Sequence, residues 1–173
     1  MPVGPDIESH VKRGRSVVQV TPADLTHLRR CIELAREARE RGDEPFGSLL
    51  VGPDGEVLAE RNNREHSDGD VTEHPEIWLA AWASRNLTPE ERAGATIYTS
   101  GESCPMCAAA QYWAGVGRLV FVMSGEQIGA VRGPGSAGLA MSSRDVFASG
   151  IGRDIVGEGP VDELVAEVET LFA

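Results

Sequence analysis

Several common features of proteins are scarce in this 173-residue sequence. It contains three cysteines, an odd number that argues against a disulfide-stapled scaffold. None of its apolar runs approaches the roughly 18 residues that a transmembrane helix needs, so we predict that the protein does not associate with a membrane. Residues 1–20 lack the apolar segment of a signal peptide, so we expect a cytoplasmic protein. The length and the 41% hydrophobic content fit one globular domain, which we place at residues 21–173 behind an N-terminal leader at residues 1–20.

Positive charge is also scarce. The sequence has 16 Lys plus Arg against 27 Asp plus Glu, which gives a formal net charge of −11. A chain this acidic is repelled by phosphate backbones unless its cations cluster. The densest basic group, at positions 12–15, lies in the leader, and no cation follows Arg153. The charge therefore predicts that nucleic acid is not a partner.

Hydrophobic periodicity predicts helices and strands that alternate after an initial hairpin. We predict helices at 21–41, 75–86, 105–114 and 162–172, with weaker helical stretches at 126–130 and 143–148. We predict strands at 46–51, 56–60, 95–99, 118–123 and 151–156, a loop at 61–73 and a turn at 88–90. This alternation favours a layered α/β domain.

The long connection before the last predicted strand bears on the sheet topology. About 27 residues separate the strands at 118–123 and 151–156. A hairpin needs two to five residues, whereas a parallel crossover needs about a dozen or more. We therefore predict that the last two strands are parallel.

Two short segments place metal-binding side chains at predicted helix starts. His74-Pro75 and Cys104-Pro105 each combine a helix cap with a proline at the first helical position. Cys107 lies one turn after Cys104, and the N-terminus of a helix favours thiolates. One imidazole and two thiolates leave a tetrahedral zinc one ligand short, as in catalytic zinc sites. We predict a zinc site formed by these three residues.

Glu76 follows His74 by two residues, in the first turn of the same predicted helix. Zinc would acidify a water molecule toward neutral pH. Glu76 can reach that water without being a ligand, take up its proton and pass it to a substrate nitrogen. We predict that Glu76 is the catalytic acid/base. A redox site would have no use for His74 and Glu76, and a closed structural zinc would need a fourth ligand.

The order and spacing of these residues resemble the zinc-dependent cytidine deaminase superfamily, whose signature is His-x-Glu followed by Cys-x-x-Cys. The resemblance covers about residues 22–123 and includes Pro45-Phe46-Gly47 and the strand before the cysteines. Within the superfamily the sequence resembles the guanine deaminase and tRNA adenosine deaminase branch. The resemblance implies a three-layer α/β/α sandwich with a mixed five-stranded sheet, a Zn²⁺ cofactor and a homodimer.

The resemblance also implies substrate contacts. Asn63 matches the asparagine that hydrogen-bonds the base, with Asn62 as the alternative. Phe46 matches an aromatic residue near the base plane, although core packing is an equal alternative. Ser103 and Cys104 match residues whose backbone groups face the leaving amine and the attacked carbon.

Three positions beside the proposed ligands depart from the family pattern. Ser103 stands in place of a proline, Pro75 in place of a small residue and Gly101 in place of an apolar residue. These changes abut the zinc and favour a pocket of altered shape. Away from the site, we expect core positions for Cys31 and for the three tryptophans, Trp78, Trp82 and Trp113.

We expect a hydrolytic deaminase that acts on a free nucleobase or a related amino-heterocycle: guanine, cytosine, or a triazine- or pterin-like ring. Relatives that edit RNA must hold a polyanion, and the net charge of −11 disfavours that. Two alternatives remain, a tRNA adenosine deaminase and a zinc-binding module of this fold without activity.

Overall fold

The computed structural model describes residues 20–173, so the predicted leader lies outside the described residues except for its last position. The helices and strands follow in this order: α1 (Pro22–Arg41), β1 (Gly47–Val51), β2 (Val57–Asn62), α2 (Glu65–Asp68), α3 (Pro75–Asn86), α4 (Pro89–Gly94), β3 (Thr96–Gly101), α5 (Pro105–Ala114), β4 (Arg118–Met123), α6 (Gly125–Arg132), α7 (Ser143–Ala148), β5 (Val156–Glu158) and α8 (Asp162–Glu169). A 3-10 turn at Thr170–Phe172 follows α8.

The five strands form one mixed sheet in the order β2-β1-β3-β4-β5. β1 pairs antiparallel with both β2 and β3, whereas β4 runs parallel to β3 and to β5. The parallel arrangement of the last two strands is confirmed, and the crossover between them contains α6 and α7.

Helices cover both faces of the sheet. Leu49 and Val51 of β1 point to the face packed against α1 and α8, whereas Leu50 points to the face that contacts α3 and α5. This alternation is the period of two expected for a strand buried on both faces. The predicted three-layer α/β/α sandwich with a mixed five-stranded sheet is therefore confirmed. Within residues 20–173, no helix is both long and apolar enough to cross a membrane.

The last strand begins later than predicted. Ile151 is 92% exposed, and the positive φ of Gly152 (+90°) turns the chain away from an extended path. Val156 is the first residue that pairs with β4, opposite Arg118. The predicted strand at 151–156 is therefore wrong, because the glycine interrupts it and β5 occupies Val156–Glu158.

Three other elements differ from the sequence prediction. Thr88 and Glu91 form a reciprocal capping box that starts α4, where we predicted only a turn. The predicted loop at 61–73 contains the end of β2 and the single helical turn of α2. The predicted helix at 162–172 ends at Glu169 and tightens into the 3-10 turn.

Some of the residues that we predicted to be in the core are buried, and one is exposed. Cys31 is fully buried, whereas Trp78 and Trp82 are half-buried against the core. Trp113 is 78% exposed, so its assignment to the core is wrong. It lies near the end of α5, between the buried residues Gln111 and Ala114, and its side chain is on the exposed side of the helix.

A cluster of paired charges lies on the α1 face of the sheet. Asp24, at the start of α1, accepts hydrogen bonds from the Tyr98 hydroxyl at 2.6 Å and from Arg118 Nη1 at 2.7 Å. Arg118 also donates through Nε to Glu158 of β5 at 2.7 Å. Every charge in the cluster therefore has a partner of opposite sign, and the cluster joins α1 to three strands.

Candidate active site

His74, Cys104 and Cys107 come together at the starts of two neighbouring helices. The His74 Nδ1 atom lies 3.5 Å from the Cys107 sulfur and 3.7 Å from the Cys104 sulfur, and the two sulfurs are 3.7 Å apart. His74 is the N-cap of α3 and Cys104 is the N-cap of α5, each followed by proline at the first helical position. Both residues therefore lie at the helix N-cap, as the sequence predicted.

These separations fit a tetrahedral zinc ion. At the usual Zn–S and Zn–N distances, two sulfur ligands lie about 3.8 Å apart, and a sulfur and a nitrogen lie about 3.5 Å apart. The three donor atoms match both values to within about 0.2 Å. Two thiolates and one imidazole are also a donor set typical of zinc.

A fourth residue, Glu65, sets the direction of the imidazole. Its carboxylate oxygen Oε1 lies 3.1 Å from His74 Nε2, on the side of the ring opposite the two thiols. Histidine ligands usually donate their second ring N–H to a carboxylate or carbonyl, which fixes the tautomer that presents the other nitrogen to the metal. The same Glu65 oxygen accepts a hydrogen bond from Asn63 Nδ2 at 2.8 Å.

The protein groups alone favour a thiolate at Cys104. The neighbouring Cys107 thiol and His74 lower the pKa of Cys104 to about 4, against the opposing effect of burial. The Cys104 sulfur in turn raises the pKa of His74 to about 9. Cys107 has its pKa raised by Cys104 and by burial, since two adjacent thiolates repel each other. A divalent cation would relieve this repulsion.

Glu76 is buried in the first turn of α3, beside the three donor atoms but outside their group. Burial raises the pKa of its carboxyl group above the ordinary value. Its Oε1 atom accepts a hydrogen bond of 2.9 Å from the Thr99 hydroxyl of β3. A raised pKa makes a carboxyl group a better proton acceptor, as the base in a proton transfer needs to be.

Asn63 and Asn62 lie at the end of the hairpin formed by β1 and β2. Asn63 is fully buried, and its backbone N–H donates to the Phe46 carbonyl at 2.9 Å. Its side chain exchanges two hydrogen bonds with Glu65, which connects it to the metal-ligand group. Asn62 is half-buried, and its Oδ1 atom accepts from Arg41 at 3.1 Å.

The Phe46 ring packs beside the end of β3. The Phe172 ring meets it edge-on at 5.7 Å, and the Arg132 guanidinium lies over it at 5.3 Å. Gly101 makes room for this ring, because a Cβ atom there would lie 2.7 Å from Phe46 Cε1. The glycine noted as a departure from the family pattern is therefore explained by the position of the aromatic ring.

Ser103 and Glu102 precede the first cysteine of the site. Ser103 is 2% exposed, and its hydroxyl has no hydrogen-bond partner among residues 20–173. The Glu102 carboxylate accepts from Gly125 N at 2.9 Å and from the Ser143 hydroxyl at 2.6 Å. Glu102 thus connects the metal-ligand loop to the starts of α6 and α7.

Sequence reasoning missed two residues of this site, Glu65 and Thr99. Glu65 is one of several acids in a segment predicted as a loop, and only the fold of α2 brings it to His74. Thr99 lies in a predicted strand, and the strand pattern does not show which helix its side chain meets. An acid near the histidine and a polar residue in a buried strand were the only signals available.

Comparisons with known proteins agree with this geometry. Residues 22–123 match the family described as the cytidine and deoxycytidylate deaminase zinc-binding region. The chain is 34% identical over 113 residues to a probable cytosine deaminase of Schizosaccharomyces pombe, covering 65% of this chain and 68% of that protein. It is 39% identical over 110 residues to a tRNA-specific adenosine deaminase of Agrobacterium fabrum, covering 63% and 72%.

One solved structure and one longer relative complete the comparison. A guanine deaminase structure from Nitrosomonas europaea superposes with a TM-score of 0.66 at 19% identity, covering 90% of this chain and 85% of the other. That level of identity supports the fold alone. The chain spans only 23% of the length of a tRNA(Ile)-lysidine synthase of Deinococcus deserti, with 33% identity over 123 residues.

Proposed function

The chain belongs to the cytidine and deoxycytidylate deaminase zinc-binding family, and on that premise we propose that it deaminates a free nucleobase or a related amino-heterocycle. As a zinc-dependent deaminase it is a hydrolase of C–N bonds. The reaction replaces the ring amine by an oxygen from water and releases ammonia. The relative from Schizosaccharomyces pombe, a probable cytosine deaminase, supports a small ring as the substrate.

The observation that carries this proposal is the pairing of the arginines around the site. Each lies against an acid: Arg41 with Asp43, Arg61 with Glu73, Arg64 with Asp68, and Arg132 with Glu44. These acids offset the positive charge that would attract a polyanionic substrate. A neutral ring needs none of the arginines, and the net charge of −11 favours it further.

Four residues supply the chemistry in this proposal. His74, Cys104 and Cys107 hold zinc, which when bound would acidify a water molecule and polarise it for attack. Glu76 takes up the proton of that water and delivers it to the ring amine, so that the amine leaves as ammonia. Because Glu76 is buried and not a ligand, its carboxyl group is free to change protonation state twice in each cycle.

The proposed substrate contacts are those that the family resemblance implies. Asn63 keeps one N–H and one oxygen lone pair beyond its two hydrogen bonds with Glu65, enough to read a ring edge. Asn62 is the alternative for that role. The aromatic ring of Phe46 would contact the substrate ring through its face or its edge. Ser103 would present its backbone group, and its unpartnered hydroxyl, to the leaving amine.

A substrate panel tests the proposal. Purified zinc-loaded protein is incubated with guanine, cytosine, adenine, an aminotriazine and a pterin, and ammonia release is measured. We expect turnover of at least one free ring. A tRNA transcript, tested in parallel for binding and for inosine formation, should neither bind at physiological salt nor be converted.

Two outcomes would contradict the proposal. The first is that the protein binds tRNA with micromolar affinity and forms inosine. If its association constant also falls by several powers of ten for each tenfold rise in salt, the tRNA adenosine deaminase alternative would be established. That alternative is favoured by the relative from Agrobacterium fabrum. Zinc-loaded protein that deaminates neither the rings nor the tRNA would favour the module without activity.

We also propose that the protein is a homodimer that buries the outer face of α3 and α5. A groove of about 240 Å³ runs between the two helices and is lined by Ile77, Ala80, Ala81, Ser84, Ala110, Trp113 and Ala114. The exposed Trp113 ring borders this groove, and large exposed aromatic residues are typical of interfaces.

Analytical sedimentation tests this proposal. It should show a dimer that the Trp113→Glu substitution converts to a monomer. Leu139→Glu, at an equally exposed position outside the groove, should leave the dimer intact.

A further inference from the structure

Two buried hydroxyl groups lie behind Glu76, on the strands beneath α3. The Ser48 hydroxyl of β1 donates to Thr99 Oγ1 at 2.9 Å, and Thr99 Oγ1 lies 2.9 Å from Glu76 Oε1. Ser48 and Thr99 are fully buried, and Glu76 is 4% exposed. The three side chains form a line from the sheet to the carboxylate, and solvent cannot replace any of their contacts.

The hydrogen count limits the directions that these bonds can take. Thr99 has one hydroxyl proton and two acceptors at the same distance, Glu76 Oε1 and the Gly101 carbonyl, each 2.9 Å away. The Ser48 proton occupies one lone pair of Thr99 Oγ1, so the Thr99 proton must point to one of the two acceptors. An ionised carboxylate is the stronger acceptor of the two.

The Thr99 hydroxyl makes a contact that its apolar neighbours could not make. Leu49, Leu50 and Ile97 on the same two strands are apolar and fully buried, whereas Ser48, Thr99 and Ser100 are buried residues with a hydroxyl group. Burying a hydroxyl is unfavourable unless it is hydrogen-bonded, and the Thr99 hydroxyl has partners in Ser48, Glu76 and the Gly101 carbonyl. Among residues 20–173, Thr99 is the one side chain that donates a hydrogen bond to the Glu76 carboxylate.

We propose that Thr99 is a positioning residue for the catalytic carboxylate of Glu76, and that Ser48 holds the Thr99 hydroxyl in the required rotamer. The inference rests on the proposed role of Glu76 in proton transfer. A carboxylate anchored through Oε1 presents Oε2 in a constant direction. Loss of the anchor would let the carboxylate rotate while the metal ligands stay in place.

Steady-state kinetics on a ring that the wild type turns over test the proposal. Thr99→Val keeps the shape and removes the hydroxyl, and it should lower kcat by about 10- to 100-fold, the cost expected when a reacting group is displaced by about 1 Å. KM and the zinc content of one ion per chain should stay unchanged. Thr99→Ser should recover most of the lost kcat, and Ser48→Ala should give a smaller loss than Thr99→Val.

Thr96→Val serves as the matched control, because Thr96 is a second buried threonine on β3 and makes no hydrogen bond to Glu76. It should leave kcat within about twofold of wild type. The proposal is overturned if Thr99→Val is as active as Thr96→Val. It is also overturned if Thr99→Ser falls as far as Thr99→Val, or if Thr99→Val loses zinc, since either result would indicate a structural role.

A second measurement does not depend on the substrate. Urea unfolding of the wild type, Thr99→Val, Glu76→Ala and the double variant gives four unfolding free energies. Together they form a double-mutant cycle, which reports the coupling energy of the two side chains. We expect the double variant to differ from the sum of the single changes, and additive changes would overturn the proposal. If no ring in the panel is deaminated, the proposed function fails, and this cycle still decides whether Thr99 holds Glu76.

Discussion

Neighbouring residues of β3 belong to two different polar clusters. Tyr98 points to the α1 face, where Asp24, Arg118 and Glu158 compensate one another's charges. Thr99 points to the α3 face, where the Glu76 carboxylate has no cationic partner in hydrogen-bond contact among the described residues. In the first cluster each charged side chain contacts one of opposite sign, whereas the Glu76 carboxylate of the second cluster contacts only a hydroxyl. We call the α1 face the structural side of the sheet and the α3 face, with the proposed active site, the catalytic side.

Glu76→Gln should give the largest loss of turnover. It should also distinguish the two clusters most clearly, because we expect it to lower activity without lowering stability. Without a carboxylate, turnover of the ring should fall by at least about 10²- to 10⁴-fold. The unfolding midpoint should stay the same or rise, because burial disfavours the charge that is removed. Glu73→Gln is the control, since Glu73 lies three residues earlier and pairs with Arg61. A marked loss of stability in Glu76→Gln would show that the catalytic side also carries structural charge.

Asp24→Asn should show the opposite pattern. It leaves Arg118 with one acidic partner and should cost about 3 kcal/mol of unfolding free energy, with kcat per folded molecule nearly unchanged. Loss of zinc in this variant would contradict the separation of the two faces. Burial works to raise the pKa of Asp24, but hydrogen bonds from Arg118, Tyr98 and Thr21 outweigh it and hold the pKa below its ordinary value.

The sign of the resulting pH dependence follows from that depressed pKa. The unfolded chain takes up a proton at Asp24 near pH 4, whereas the folded chain resists it to lower pH. The stabilisation is therefore complete above about pH 4 and is lost as the pH falls toward the folded value. The difference in melting temperature between wild type and Asp24→Asn should stay constant above about pH 5 and should narrow as the pH falls below about 4. A difference that stays constant below about pH 4 would show that Asp24 acts through packing and not through charge.

Glu65→Gln tests whether the catalytic side depends on its outer residues. The amide keeps the size of the side chain but is a weaker acceptor for His74 Nε2, so zinc affinity should fall by about 10- to 100-fold in chelator competition. Asp68→Asn, which changes an exposed acid of the same short helix, should leave the affinity unchanged. Equal affinity in Glu65→Gln and wild type would mean that the thiolates alone orient the metal.

Ser103→Ala should produce the smallest change in stability. Its buried hydroxyl has no partner, so removing it should leave the unfolding free energy unchanged or raise it by up to about 1 kcal/mol. Ser143→Ala removes a hydroxyl bonded to Glu102 at 2.6 Å and should cost about 1 kcal/mol. If Ser103→Ala destabilises as much as Ser143→Ala, the hydroxyl is part of the structural polar network and not of the pocket.

The catalytic side was more predictable from sequence than the structural side. His74 and Cys104 are ligand-type residues at helix caps followed by proline, and Cys107 lies one turn after Cys104, so local rules place all three. Asp24 and Arg118 are 94 residues apart, and no local pattern relates them. The exposure of Trp113 and the late start of β5 also depend on which surfaces the fold covers. Caps and periodicity are local properties, whereas the partners of a buried charge are set by the sheet order.

The Glu102 carboxylate has a consequence for how this fold can change. Its two oxygens hold Gly125 and Ser143, so one residue beside the metal-ligand loop closes the ends of an intervening stretch of chain. Residues 134–141 of that stretch are exposed. Longer or shorter versions of such a closed loop cost little free energy, since closure entropy grows only slowly with length. Insertions and deletions at 134–141 are therefore a route by which evolution or engineering can reshape the surroundings of the site while the zinc ligands stay in place.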